Sequence, residues 1–218
     1  MSGPKISRRG WLLALIGTGV GLVSQRVWSA IPTPRQTGGP FYPTRRGESD
    51  ADLTQLQGRS DRATGEVIYV RGRVLDEDGQ PIRDAVVELW QANAHGRYDH
   101  ERDARNPRPL DPNFQGRAEL VSDERGEYRF KTIKPGSYPA GGSWMRPPHI
   151  HFKVSRRGYH EITTQMYFAG DPLNDKDGIR NALTSAERES VTITFRASAD
   201  EPGAKAGTFD VTLRKAAV

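Results

Sequence analysis

Val67-Ile68-Tyr69-Val70-Arg71-Gly72-Arg73-Val74-Leu75 runs into Asp76-Glu77-Asp78-Gly79-Gln80-Pro81 and soon afterwards into Ala85-Val86-Val87-Glu88-Leu89-Trp90. Two runs of β-branched and aromatic residues separated by a turn cluster read as consecutive strands. The pattern continues down the chain. Further strands are expected at residues 118–122, 128–133, 149–154, 161–168, 191–197 and 208–214, with turns at Asp123-Glu124-Arg125-Gly126 and Lys134-Pro135-Gly136. Only residues 179–189 have the composition of a short helix. Many short strands with Gly/Pro turns and little helix indicate an all-β fold, an antiparallel β-sandwich.

Outward from that core the chain changes character. Residues 31–65 are rich in Pro, Gly, Thr and Arg without a sustained period and read as an extended N-terminal arm. Thr37-Gly38-Gly39-Pro40-Phe41-Tyr42-Pro43 is too aromatic for a simple linker. Residues 1–30 read as a targeting segment. Lys5, Arg8 and Arg9 precede an apolar run to about Val23 that is too short for a comfortable membrane span. Paired arginines ahead of such a run suggest twin-arginine export to the periplasm or exterior, with membrane contact only through this segment if it stays uncleaved. The sandwich domain then occupies residues 66–218.

With 218 residues there is room for one substantial core. The net charge is +5, but the arginines are scattered, and no basic run interleaved with aromatics suggests a nucleic-acid groove. The absence of cysteine excludes disulfides, thiolate nucleophiles and cysteine metal sites. A metal would need His, Asp, Glu or Tyr, ligands suited to iron, manganese, copper or zinc.

Arg146-Pro147-Pro148-His149-Ile150-His151-Phe152 carries the first hint of chemistry. Alternate residues of a strand share a face, so His149 and His151 point the same way. Imidazole is the commonest protein metal ligand. The pair alone is equally compatible with two histidines on a half-buried strand, or with a copper or zinc site using only these two. Long excursions at 95–116 and 138–148 exceed ordinary hairpin loops, and such loops tend to carry function.

Two resemblances follow. Gly72-x-Val74, Asp78-Gly79-x-Pro81-Ile82 and the 123–130 hairpin resemble prealbumin-like β-sandwich modules, which implies a secreted binding module without iron chemistry. Gly96-Arg97-Tyr98, Lys134-Pro135-Gly136-Ser137-Tyr138-Pro139 and Arg146-Pro147-Pro148-His149-Ile150-His151-Phe152, in that order, resemble the intradiol ring-cleavage dioxygenases, above all the iron-bearing chain of the protocatechuate-cleaving members. That second resemblance spans about residues 67–213 and implies an enzyme. Its expected cofactor is non-haem Fe(III), with Tyr98, Tyr138, His149 and His151 as ligands. Its expected reaction is cleavage of a catechol (protocatechuate or a relative) between the hydroxyl carbons with O2, giving a cis,cis-muconate. Arg146 and Gln165 match the active-site arginine and a glutamine near it, and Tyr138 the ligand that leaves on substrate binding. Trp90, Gly39 and Pro40 match pocket positions. A homo-oligomer is expected, in which the arm completes the pocket of its own or a neighbouring subunit. After Tyr138-Pro139 the chain carries Ala140-Gly141-Gly142 where protocatechuate-selective relatives tend to have a tryptophan.

Overall fold

The computed structural model describes residues 31–44 and 47–217, so the export segment expected at 1–30 lies outside the described residues. Two five-stranded sheets face each other. In the first, β1 (Val67–Asp76) pairs antiparallel with β4 (Glu127–Ile133) on one side. On its other side it pairs in parallel with β11 (Lys205–Thr208) and then β12 (Val211–Leu213). β10 (Arg196–Ala197) lies outside β11. The second sheet has the order β3 (Arg117–Val121), β2 (Val86–Trp90), β7 (His149–Ser155), β8 (Ile162–Phe168) and β9 (Thr192–Ile193). A two-stranded ribbon, β5 (Tyr138–Pro139) with β6 (Met145–Arg146), folds within the second excursion.

The expected sandwich is present, with the alternation that produces it. Ile68, Val70 and Val74 of β1 are buried against Val87 and Leu89 of β2 and Ile150, Phe152 and Val154 of β7. Phe152 sits at the centre, in ring contact with Phe130 at 6.0 Å and Phe209 at 4.9 Å. Helix is scarce. The stretch expected at 179–189 is two short helices, α1 (Gly178–Asn181) and α2 (Ser185–Ser190). Thr184 and Glu187 form a reciprocal capping box that starts α2 afresh. The run expected as one strand at 191–197 is divided between the sheets, and the run at 208–214 is interrupted at Phe209-Asp210. There the Phe209 carbonyl accepts the Tyr128 hydroxyl at 2.5 Å and Asp210 accepts the Arg73 N–H at 2.8 Å.

The arm is extended, as its composition suggests, and it is packed. Thr33 exchanges hydrogen bonds with Thr212, the Gln36 N–H donates to Thr163 at 2.8 Å, and residues 51 and 53 bond Lys131. Leu53 is fully buried within the sandwich core. If the arm were a detached linker, Leu53→Ala would leave stability unchanged. The packing instead sets an expected loss of about 2–5 kcal/mol, measurable by denaturant titration.

Candidate metal centre

The register of the second sheet assembles one face of the site. Trp90 of β2 lies opposite His151 of β7, and His151 opposite Gln165 of β8; His149 lies opposite Tyr167. Directly paired residues share a face, so these five side chains stand together. All five are buried.

The tyrosines come from loops, and tight backbone contacts bring the loops together. Asn93 organises the first excursion, its side-chain oxygen accepting from His95 N and Arg97 N at 2.9 and 3.0 Å. Gly96, at φ +75°, sits where a Cβ would strike the Ser137 carbonyl, and Gly136 where a Cβ would strike Ala94. This interlock places Tyr98 beside Tyr138, with rings 5.5 Å apart and nearly perpendicular. Asp103 accepts the Tyr98 N–H at 2.8 Å and fixes the loop beyond it.

Three donor atoms converge. His149 Nε2 is 3.2 Å from His151 Nε2 and 3.5 Å from the Tyr138 hydroxyl. His149 Nδ1 lies 2.7 Å from the Pro147 carbonyl, which accepts only a proton, so Nδ1 carries the hydrogen and Nε2 a lone pair. Trp90 stacks on His151 at 4.8 Å and 2° and orients that ring. The Tyr98 hydroxyl is buried beside that of Tyr138 and makes no well-formed hydrogen bond.

Burial sets the charge states, with nearby charges as secondary influences. Desolvation, then Arg146, pushes His151 down to about 3. The same two causes, with His151 added, hold His149 well below its usual range. Both imidazoles are therefore neutral near pH 7. Burial raises both phenols, Tyr98 most, with Tyr138 adding to it; Arg146 opposes the rise at each. A tyrosinate here needs a cation beside it.

Arg146 is buried and held from two sides. Its Nε donates to Asp177 at 2.6 Å, and its Nη2 donates to Gln165 Oε1 at 2.6 Å and Tyr167 at 3.4 Å. The arm closes the network. Gln165 Nε2 donates to the Thr37 carbonyl at 2.7 Å, and Tyr167 donates to Gln36 Oε1 at 2.9 Å. Gly39, at φ +66°, lies against His151, where a Cβ would come 3.6 Å from Nε2. Phe41 stacks on Tyr98 at 4.6 Å. The arm thus reaches the site of its own subunit. Pro40, expected beside the pocket, is exposed. A cavity of about 320 Å³ opens beside Phe41, Trp90 and Tyr98, and none of Tyr138, Arg146, His149 or His151 lines it.

Residues 37–215 match the family described as Dioxygenase. The chain is 45% identical over 173 residues to the protocatechuate 3,4-dioxygenase beta chain of Burkholderia cepacia, covering 77% of this chain and 73% of that protein. The chain belongs to the intradiol ring-cleavage dioxygenase family. It is also 33% identical over 191 residues to a catechol 1,2-dioxygenase of Acinetobacter baylyi, covering 82% of this chain and 58% of that protein. Among solved structures, the dioxygenase domain of a carbohydrate-binding fusion protein from Streptomyces sp. SirexAA-E superposes with a TM-score of 0.65 at 26% identity, over 85% of this chain and all of that one. Members of the intradiol family generally depend on non-haem iron. The chain is an enzyme, and the binding-module expectation falls.

The residues present fit such an ion. The donor groups gathered on this face are the two imidazoles and the two phenols. Tyr98 supplies a buried oxygen. Sequence reasoning missed Asp177, Tyr167 and Gln36. In the metal-free protein the Tyr98 hydroxyl is a buried group without a well-formed hydrogen bond, a cost of roughly 1–3 kcal/mol. Metal-free Tyr98→Phe is therefore expected to melt at or above the wild-type temperature by calorimetry, and a clear drop would show that the hydroxyl is satisfied.

Proposed function

We propose that this enzyme cleaves a catechol between its two hydroxyl carbons, at a ferric non-haem iron held by Tyr98, Tyr138, His149 and His151. The observation that carries this reading is the convergence of the Tyr138 hydroxyl and both Nε2 atoms next to the buried Tyr98 hydroxyl. Ferric iron is hard and highly charged and favours anionic oxygen donors, so two phenols beside two neutral imidazoles suit it better than copper or zinc. Bound iron supplies the Lewis acidity that lets the catechol bind as a dianion and react with dioxygen. Both oxygen atoms enter the product, a cis,cis-muconate, so the overall reaction balances without a reductant.

The protein's own groups shape the rest. Tyr98 and Tyr138 give up their protons only against a cation, because burial otherwise holds them protonated. Pro147 fixes His149 with its Nε2 lone pair free, and Trp90 holds the plane of His151. Arg146 places a permanent charge where negative charge develops on the substrate ring, in a dry site where such a charge acts strongly. Gln165 holds it there. Gly39 keeps the approach to His151 free of a side chain. The relatives act on protocatechuate and on catechol by their names, and the substrate class taken here is a catechol with or without a small polar ring substituent. The Arg8-Arg9 motif supports export by the twin-arginine route, which a reporter fusion to residues 1–30 tests.

Oxygen uptake with catechol, protocatechuate and hydroxyquinol, with product identification, tests the activity. Equimolar uptake and a muconate are expected; a semialdehyde from cleavage outside the hydroxyl carbons would contradict it. Arg146→Ala is expected to keep iron while kcat falls roughly 100-fold or more. Wild-type turnover would remove Arg146 from the mechanism.

A further inference from the structure

We propose that Asp177 is a positioning residue for Arg146, fixing the direction of its guanidinium beside the metal centre. This rests on the catechol-cleaving reading above. Asp177 is fully buried, and both its oxygens are committed. Oδ2 accepts from Arg146 Nε at 2.6 Å, while Oδ1 accepts from Arg180 N at 2.8 Å at the start of α1. The carboxylate therefore cannot turn without breaking a helix cap. It is anchored independently of the metal centre.

A guanidinium is a rigid planar fork, so two fixed points determine its direction. Asp177 fixes Nε, and Gln165 with Tyr167 fixes Nη2. Nη1 takes part in none of these three bonds, Tyr138 lies against the guanidinium as well, and the Trp144 ring lies 5.7 Å from the guanidinium carbon. In the β5–β6 ribbon Arg146 is the direct partner of Tyr138, so the fixed fork sits on the metal-centre side of the molecule. Without Asp177 the fork would be held on its Gln165 edge alone and could pivot about Nη2. A buried pair can also serve only stability, because removing one partner leaves an uncompensated charge. The experiment must separate the two roles.

Asp177→Asn keeps the shape and the cap acceptor and removes the charge. Turnover is measured per bound iron, well below the melting temperature, and the variant is crystallised. The expected result is wild-type iron per folded protein, a nearly unchanged KM for catechol, and a kcat per iron lower by roughly 100-fold. In the crystal the guanidinium keeps its Gln165 contact and is pivoted about Nη2, away from its wild-type direction. Loss of folded protein with wild-type kcat per iron would overturn the proposal, as would an unmoved Arg146. If Asp177→Asn does not fold, Asp177→Glu is read the same way. A wild-type protein without iron or oxygen uptake would sink the dioxygenase reading instead, and the position of Arg146 in the variant crystal would still decide the role of Asp177.

Discussion

From His149 to Phe152 no side chain of β7 reaches solvent, and the site depends on that. A strand buried on both faces must fill one with apolar groups and satisfy whatever polar groups stand on the other. Ile150 and Phe152 go into the sandwich core, while His149 and His151 go to the opposite face. The pairings with β2 and β8 then line up Trp90, Gln165 and Tyr167 beside them. A slip of one residue would send every one of these groups to the wrong side, so the core that stabilises the sheet also sets the register of the site.

The other face is closed by chain outside the two large sheets. Two interlocked excursions bring the tyrosines, and the arm covers the gap beyond Gln165. Its polar groups are joined in one buried network running from Gln36 through Tyr167 and Gln165 to Arg146 and Asp177. Arg146 is the only member with a positive charge and Asp177 the only one with a negative charge, so the network is neutral as a whole. It therefore holds a cation beside the site without leaving a buried charge unpaired.

Much of this was legible in the sequence because it depends on local pattern. β1, β2, β7 and β8 follow β-rich runs bounded by turn residues, and H-x-H reads directly as one face. Tyr167 could have been found the same way, being two residues from Gln165 and so on its face. Thr184 and Glu187, a Thr-x-x-Glu pair inside the single helix expected at 179–189, could likewise have shown where α2 starts. The remainder depends on distant partners. Residues 191–197 are β-rich throughout, so composition could not reveal that Thr192–Ile193 joins β8 in parallel while Arg196–Ala197 crosses to β11. Asp177 is one of several aspartates in a polar loop, and only the fold places it against an arginine 31 residues earlier. The burial of the arm rests on the same kind of long-range contact.

The central claim is that loop tyrosines and strand histidines share one ferric ion. Resonance Raman scattering excited in the visible band of the iron-loaded protein tests it most directly. Metal-bound tyrosinate ring modes are expected, with part of their intensity lost in Tyr98→Phe and part in Tyr138→Phe. An iron-loaded protein without tyrosinate modes, or with modes unchanged in both variants, would contradict the account.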